Sequence, residues 1–428
     1  MHLMESLPGK VLPFALFCAW AAVYGSQSAP DGPAPEGPEF QISTDQVHAK
    51  SRVALAAHPD GRMVAVWSSN GQDGANLGIF AQRYHADGSA AGGEFPVNVE
   101  TFQNQAHPAV GMDSSGNFVI AWQSTGNTPQ GVYARRYAAN GAAQGSEFQV
   151  ASISGPVRPL SVGVAPGGDF VVVWETIINV GAWRYYGRRF DADGAPVGGE
   201  FQINDIHSPQ SEAAAVAFLP DGGFLIAWPQ NASNAGDIHA RRYNAEGQTV
   251  GPEYAISEAY DAIQGGPVLA FNNMGTGILL WHRRADSGLA FRSVHARRLD
   301  ALGQPVGAQF RVNQFNERSQ EEPAVAMDSR GNVLAAWSSD RQDGTASWNI
   351  YARYLPNNGT RCLAEFRVNT IIQGHQIHPA VALAGDGRAL IAWQNNIPSP
   401  TPERISGQRY NPPQVMFRDR FETCTEDD

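Results

Sequence analysis

The chain has 428 residues, 43% of them hydrophobic and only 17% charged, enough apolar material for one large repeat architecture or two to three ordinary domains. A formal net charge of −11 argues against a nucleic-acid surface, which needs a basic patch. Lysine is nearly absent and glycine is abundant, at 45 residues, a balance that suits short strands and tight turns rather than amphipathic helices.

Residues 1–28 read as a signal peptide. Lys10 precedes an apolar run from Val11 to Tyr24, and the small and polar residues Gly25 to Ala29 follow, which is the order of an export signal. The run is shorter than the roughly 20 apolar residues of a comfortable membrane span, and Pro13 interrupts it. An uncleaved anchor and a lipoprotein using Cys18 are the alternatives, and bulky Phe17 stands before that cysteine. The expected location is secreted, periplasmic or cell-surface, with no membrane span after cleavage. Cleavage leaves Cys362 and Cys424, and two cysteines in an exported chain suggest one disulfide. Residues 29–38 form a Pro/Gly-rich linker.

From Glu39 onward the sequence repeats. An acidic or amide residue followed by an aromatic recurs at Glu39, Glu94, Glu147, Glu200, Glu253, Gln309 and Glu365, and a tryptophan recurs at Trp67, Trp122, Trp174, Trp228, Trp281, Trp337 and Trp393. Each unit holds four strand candidates. In the second copy they are Glu94-Phe-Pro-Val-Asn98, His107-Pro-Ala-Val-Gly-Met112, Phe118-Val-Ile-Ala-Trp122 and Val132-Tyr-Ala-Arg-Arg-Tyr137. The third of these is continuously apolar, as a strand buried on both faces should be. Turns such as Asp60-Gly61, Ser115-Gly116, Asp221-Gly222 and Asp386-Gly387 join the second and third pieces as tight hairpins. Four antiparallel strands every fifty or so residues predict an all-β, seven-bladed β-propeller over 39–410, followed by a C-terminal tail, 411–428.

The strand order within a blade follows from side-chain size. The Pro-Ala-Val piece carries small residues at alternate positions, as at Ala109 and Gly111 or Ala324 and Ala326, and so belongs at the crowded axis. The tryptophan strand comes second, the Tyr-Ala-Arg-Arg strand third and the Glu-Phe strand outermost. The chain therefore opens with an outer strand and ends on a third one. Residues 39–43 are expected to pair beside 405–410 and close the ring, hiding an edge that would invite aggregation. The tail segment 415–421 is the rival for that edge.

Pro59-Asp-Gly61, Pro220-Asp-Gly222 and Arg242-Tyr-Asn-Ala-Glu-Gly247 resemble the repeats of secreted bacterial β-propeller proteins of the delta-sixty type. The likeness covers about 39–410 and implies architecture, not activity. This chain has Trp where many such repeats place Gly after the apolar strand. The ending Phe417-Arg-Asp-Arg-Phe-Glu422 is similar to the Phe-x-Asp-Gly-Phe-Glu endings of gammaproteobacterial exported proteins, with Arg420 in place of the Gly.

The seven tryptophans are expected in the core, each burying about 200 Å². The pairs Arg135-Arg136, Arg188-Arg189, Arg241-Arg242 and Arg297-Arg298 point to opposite faces of a strand and form no basic groove. The opening Glu of the next strand is their expected partner.

One constellation stands apart. Fifteen residues before each Trp come Arg52, His107, Pro159, Ala213, Gly266, Glu322 and His378. In a closed ring copies 6, 7, 1 and 2 are contiguous. Glu322, His378, Arg52 and His107 then share one arc of the channel mouth, flanked by Gln320, Gln376, Lys50 and Gln105. Such an arc can take an anionic ligand or a metal. The loops carrying Gln72-Asp73-Gly74 and Gln342-Asp343-Gly344 lack the ligand series of a calcium loop and read as ordinary turns, as does Asp191-Ala-Asp193-Gly194.

No Gly-x-Ser-x-Gly, His-Glu-x-x-His, phosphate loop or Cys-x-x-Cys occurs. The expectation is a monomeric, exported, non-catalytic module that binds or scaffolds a protein or glycan partner, with no cofactor required and no nucleic acid. No residue pattern supports a bound metal such as Ca²⁺ or Zn²⁺. Two alternatives remain: a glycan-active hydrolase or lyase working at the channel mouth, and a cell-surface structural or adhesive protein.

Overall fold

A computed structural model describes residues 33–125, 130–153, 157–179, 182–205, 213–232, 235–258, 263–284, 291–357, 363–397 and 402–412. Residues 1–28, expected as a signal peptide, the first part of the linker (29–32), Cys362, Cys424 and the tail from 413 lie outside the described residues. The fold is all-β, with seven four-stranded antiparallel blades arranged as a propeller.

Within each blade the strands run in the order expected from side-chain size. Blade 1 is Lys50–Ala57, Met63–Asn70, Leu77–Tyr84 and Phe95–Pro96, from axis to rim. The second strands are buried along nearly their whole length because another blade covers each face. Every tryptophan of the series is at most 1% exposed. Each sits in a cluster shared with the preceding blade: Trp122 packs with Val64, Val66 and Ile79 of blade 1, and Trp393 packs with Leu334, Ala336 and Ile350 of blade 6. Trp67 does the same against Leu390, Ala392 and Ile405 of blade 7, so the core runs around the ring without a gap.

The ring closes as expected. Phe40–Gln41 pairs antiparallel with the third strand of blade 7, Phe40 opposite Gly407 and Gln41 opposite Ser406. Ile42 N–H donates to Ile405 O at 2.9 Å. The seam begins earlier than the predicted strand, since Pro35 bridges Tyr410 and Glu36 N–H donates to Arg409 O at 2.8 Å.

The repeated glutamates and arginines tie neighbouring blades together. Glu94 accepts the backbone N–H of Thr44 (2.7 Å), Glu147 that of Val99 (2.7 Å) and Glu365 that of Gln314 (2.6 Å). Glu39 accepts the N–H of Thr370 at 2.8 Å across the closure, so the seam carries the same bond as an ordinary interface. The first arginine of a pair reaches back to a carbonyl of the preceding blade: Arg135 to Val97, Arg188 to Val150, Arg241 to Ile203 and Arg297 to Ile256. The second reaches forward in three pairs, Arg136 to Asp193, Arg189 to Ala245 and Arg298 to Pro356, as does Arg83, at the same place in blade 1, to Ala139, while Arg242 pairs with Asp221. This corrects the expected Arg–Glu pairing, which is found at Arg241–Glu253, 3.3 Å. These acceptors are backbone carbonyls beside outer strands and turns, which the several donors of an arginine can satisfy.

Candidate functional site

The inner strands do not run straight. In six of the seven blades the ladder between first and second strands slips at the same place, between Ser51 and Ala54, Ala106 and Ala109, Arg158 and Ser161, Gly265 and Val268, Glu321 and Ala324, and Ile377 and Ala380. Each slip is a β-bulge, with two residues opposite one, and a bulge re-aims the side chain that it carries.

The bulge residues are those singled out from the sequence. Arg52, His107, Glu322 and His378 have φ of 57°, 55°, 55° and 54°. Among the described residues only Gln103 and Arg341 are further non-glycine cases. Gly266 takes the same conformation, φ 59°, whereas the slip of blade 3 carries Pro159, whose ring excludes a positive φ. For an L-residue the left-handed region costs about 1–2 kcal/mol, which glycine avoids. Four consecutive blades, 6, 7, 1 and 2, thus hold charged or imidazole side chains at positions where glycine is cheaper, and such strain concentrates at functional sites.

Glu322 and His378 meet across the blade 6–blade 7 boundary. His378 Nδ1 lies 2.7 Å from Glu322 Oε1. Glu322 Oε2 also accepts the backbone N–H of His378 at 2.9 Å and the Ser338 hydroxyl at 2.8 Å. Burial pushes the Glu322 carboxyl up, but the hydrogen bonds and charge of His378, with the Ser338 bond, outweigh it and hold the carboxyl below its usual range. The next boundary repeats the backbone part: Arg52 N–H donates to Gln394 Oε1 of blade 7 at 3.3 Å. The Arg52 side chain is exposed, with no ion pair among the described residues. His107 is half-buried at the equivalent bulge of blade 2.

The flanking glutamines take a different place from the expected rim. Gln105, Gln320 and Gln376 are fully buried, and their Oε1 atoms accept the indole N–H of Trp122, Trp337 and Trp393 at 3.2, 2.9 and 3.0 Å. Their amides donate to the connector carbonyls of Phe102, Arg318 and Gln373. Facing inward, they brace the tryptophan against the chain that leads into each blade. Lys50 occupies this place in blade 1 and is equally buried.

Two further groups are linked to the bulge residues. The residue after the tryptophan supplies a partner for the bulge, Ser338 donating to Glu322 within blade 6 and Gln394 accepting from Arg52 across the blade 7–blade 1 boundary; a polar residue following an apolar strand was the available signal. The connectors into blades 1, 2 and 7 expose large apolar side chains: Val47, Val99, Phe102, Ile371 and Ile372, from 40% to 75% exposed. In the chain these connectors lead directly to Arg52, His107 and His378.

No family model matches the chain, and no curated protein does. The fold is similar to solved propellers. A protein of unknown function from Dyadobacter fermentans DSM 18053 matches with a TM-score of 0.54 and 13% identity, over 88% of this chain and 98% of that one. The polysaccharide lyase Uly1 matches with a TM-score of 0.53 and 8% identity, over 88% and 100%. The β-propeller domain of the Trilobed protease from Pyrococcus furiosus, described as having an open velcro topology, matches with a TM-score of 0.51 and 8% identity, over 86% and 94%. At such identities these likenesses establish the propeller fold.

Proposed function

We propose that this chain is an exported β-propeller that binds a glycan at the channel mouth, through the arc Glu322–His378–Arg52–His107. The observation that carries the reading is the set of four non-glycine residues held in a left-handed bulge at consecutive blades. The exposed connector residues Val47, Val99, Phe102, Ile371 and Ile372 suit a sugar, which offers an apolar ring face beside its hydroxyls. The free Arg52 guanidinium favours an acidic sugar, since arginine pairs well with carboxylate and sulfate groups.

The test is isothermal titration of the purified chain with neutral and acidic oligosaccharides, repeated on an Arg52→Ala, His107→Ala double variant. Binding lost in the variant at unchanged stability supports the reading. If no oligosaccharide binds and a protein is instead captured through this face, the glycan assignment fails.

A catalytic reading, glycan hydrolase or lyase, is favoured by one observation, the 2.7 Å contact of Glu322 with His378. With Nδ1 held by the carboxylate, Nε2 is the nitrogen left to exchange a proton with a ligand. The polysaccharide lyase among the similar structures lends this reading its substrate class. A lyase releases an ultraviolet-absorbing unsaturated sugar and a hydrolase releases a reducing end without one. Neither product from a bound oligosaccharide leaves a binding module.

Export rests on the reading of 1–28 as a signal peptide, checked by N-terminal sequencing of the mature chain. A Cys362–Cys424 disulfide would tie the tail to the sixth-repeat loop, and free thiols in the exported protein would refute it.

A further inference from the structure

The loops joining the second and third strands of blades 1 and 6 share a pattern: Ser68-Ser-Asn-Gly-Gln-Asp-Gly74 and Ser338-Ser-Asp-Arg-Gln-Asp-Gly344. In blade 6 the loop satisfies itself. Ser338 donates to Glu322 and Ser339 donates to Gln342 Oε1, both at 2.8 Å. The Gln342 amide donates to Glu365. Asp343 Oδ2 receives Asn349 Nδ2 at 3.2 Å and the Arg367 guanidinium at 2.9 Å.

Blade 1 repeats the loop without its partners. By strand register, Gly78 stands opposite Ser69 as Asn349 stands opposite Ser339, and Pro96 stands opposite Phe80 as Arg367 stands opposite Tyr351. Both donors to Asp343 Oδ2 are therefore missing around Asp73, whose Oδ1 keeps the loop N–H of Ala75 at 3.2 Å as Asp343 Oδ1 keeps that of Thr345. The Ser69–Gln72 bond is also not made, although both side chains are present. Ser69 Oγ, Gln72 Oε1 and Asp73 Oδ2 are buried with no hydrogen-bond partner among the described residues, and Ser69 is wholly buried. Asp73 Oδ2 lies 2.3 Å from the place of a Cβ on Gly78, the residue directly across the ladder from Ser69. Gln72 Nε2 is committed to Glu94 at 2.5 Å, which leaves its Oε1 as the free end.

Charge points the same way. In blade 6 Arg367 offsets Asp343 beside Glu365. In blade 1 no cation pairs with Asp73 or Glu94 among the described residues. The nearby Lys50 ammonium is held by Asp45 and the His48 carbonyl.

We propose that Ser69 Oγ, Gln72 Oε1 and Asp73 Oδ2 bind a hard cation, with Ca²⁺ the best match, in the place that Arg367 and Asn349 take in blade 6. A carboxylate, an amide carbonyl and a hydroxyl are hard oxygen donors, and Ca²⁺ accepts an irregular set completed by water where Mg²⁺ demands near-octahedral geometry. A single carboxylate places the affinity in the range of extracellular calcium modules, on the order of 10⁻⁴–10⁻³ M. The site does not depend on the ligand proposed for the mouth.

The experiment is thermal unfolding of the EDTA-stripped chain, titrated with CaCl₂ or MgCl₂ at constant ionic strength. Calcium should raise the melting temperature by about 3–5 °C at saturation, and magnesium by less. Asp73→Asn should lose the rise, while Asp343→Asn in blade 6 should keep it. A Gly78→Asn, Pro96→Arg double variant gives blade 1 the partners that blade 6 has, and it should be folded and indifferent to calcium. Terbium emission sensitised by the neighbouring Trp67, and lost in Asp73→Asn, reads the same site even if the double variant does not fold. No calcium-dependent shift in the wild type, or an undiminished shift and terbium signal in Asp73→Asn, would overturn the proposal.

Discussion

Replacing Arg52 by glycine should make the protein more stable and its mouth less able to bind. Arg52 sits at φ 57°, and relief of the left-handed strain is worth about 1–2 kcal/mol. Glycine gives back about 0.5–1 kcal/mol through its freedom in the unfolded chain. The side chain is exposed and makes no ion pair among the described residues, so little packing is lost, and the backbone N–H stays available to Gln394. The net gain is about 0.5–1 kcal/mol, or roughly 1–2 °C in melting temperature for a chain of this size. Arg52→Ala keeps the strain and should be neutral, which separates conformation from side-chain loss. Denaturant unfolding of the three proteins, paired with oligosaccharide titration, provides the assay. If Arg52→Gly is destabilised, or if Ala and Gly behave alike, the strain argument fails. Gly266, at φ 59° in blade 5, shows that the fold accepts glycine there.

Three other outcomes follow from the geometry. Gln376→Leu leaves the buried Trp393 indole N–H without its acceptor and should cost about 1–3 kcal/mol with ligand binding intact; binding lost at full stability would return the glutamines to the site. Removing residues 1–43 exposes the edge of Arg404–Tyr410 and strips away the buried Ile42, so size-exclusion chromatography should show self-association, and a stable monomer would mean that the seam is dispensable. Because the Glu322 carboxyl is held below its ordinary value of 4.5, its contribution is present above that pH and is lost as pH falls through the folded value. Glu322→Gln should therefore flatten the acid limb of stability against pH, and an unchanged limb would show that the His378 contact is not formed in solution.

The sequence by itself determined the architecture. Seven tryptophans in register, alternation within strands and glycine-bearing turns are local signals with a period of two, and their phase alone indicated that Glu39 and the residues after it complete the last blade. The order of strands was legible because crowding at an axis selects small side chains. The direction in which individual polar groups face was decided only by the tertiary structure. Gln105, Gln320 and Gln376 stand two residues before bulge positions that open to the mouth, yet the extra bulge residue, set by pairing between strands, turns them inward to the tryptophans. Whether an arginine meets a carboxylate or a carbonyl likewise depends on the neighbouring blade, some forty residues or more away in the chain. The twin Gln-Asp-Gly loops read alike in sequence; the residues that satisfy one and leave the other open, Asn349 and Arg367 against Gly78 and Pro96, lie on other strands and become partners only when the blade folds.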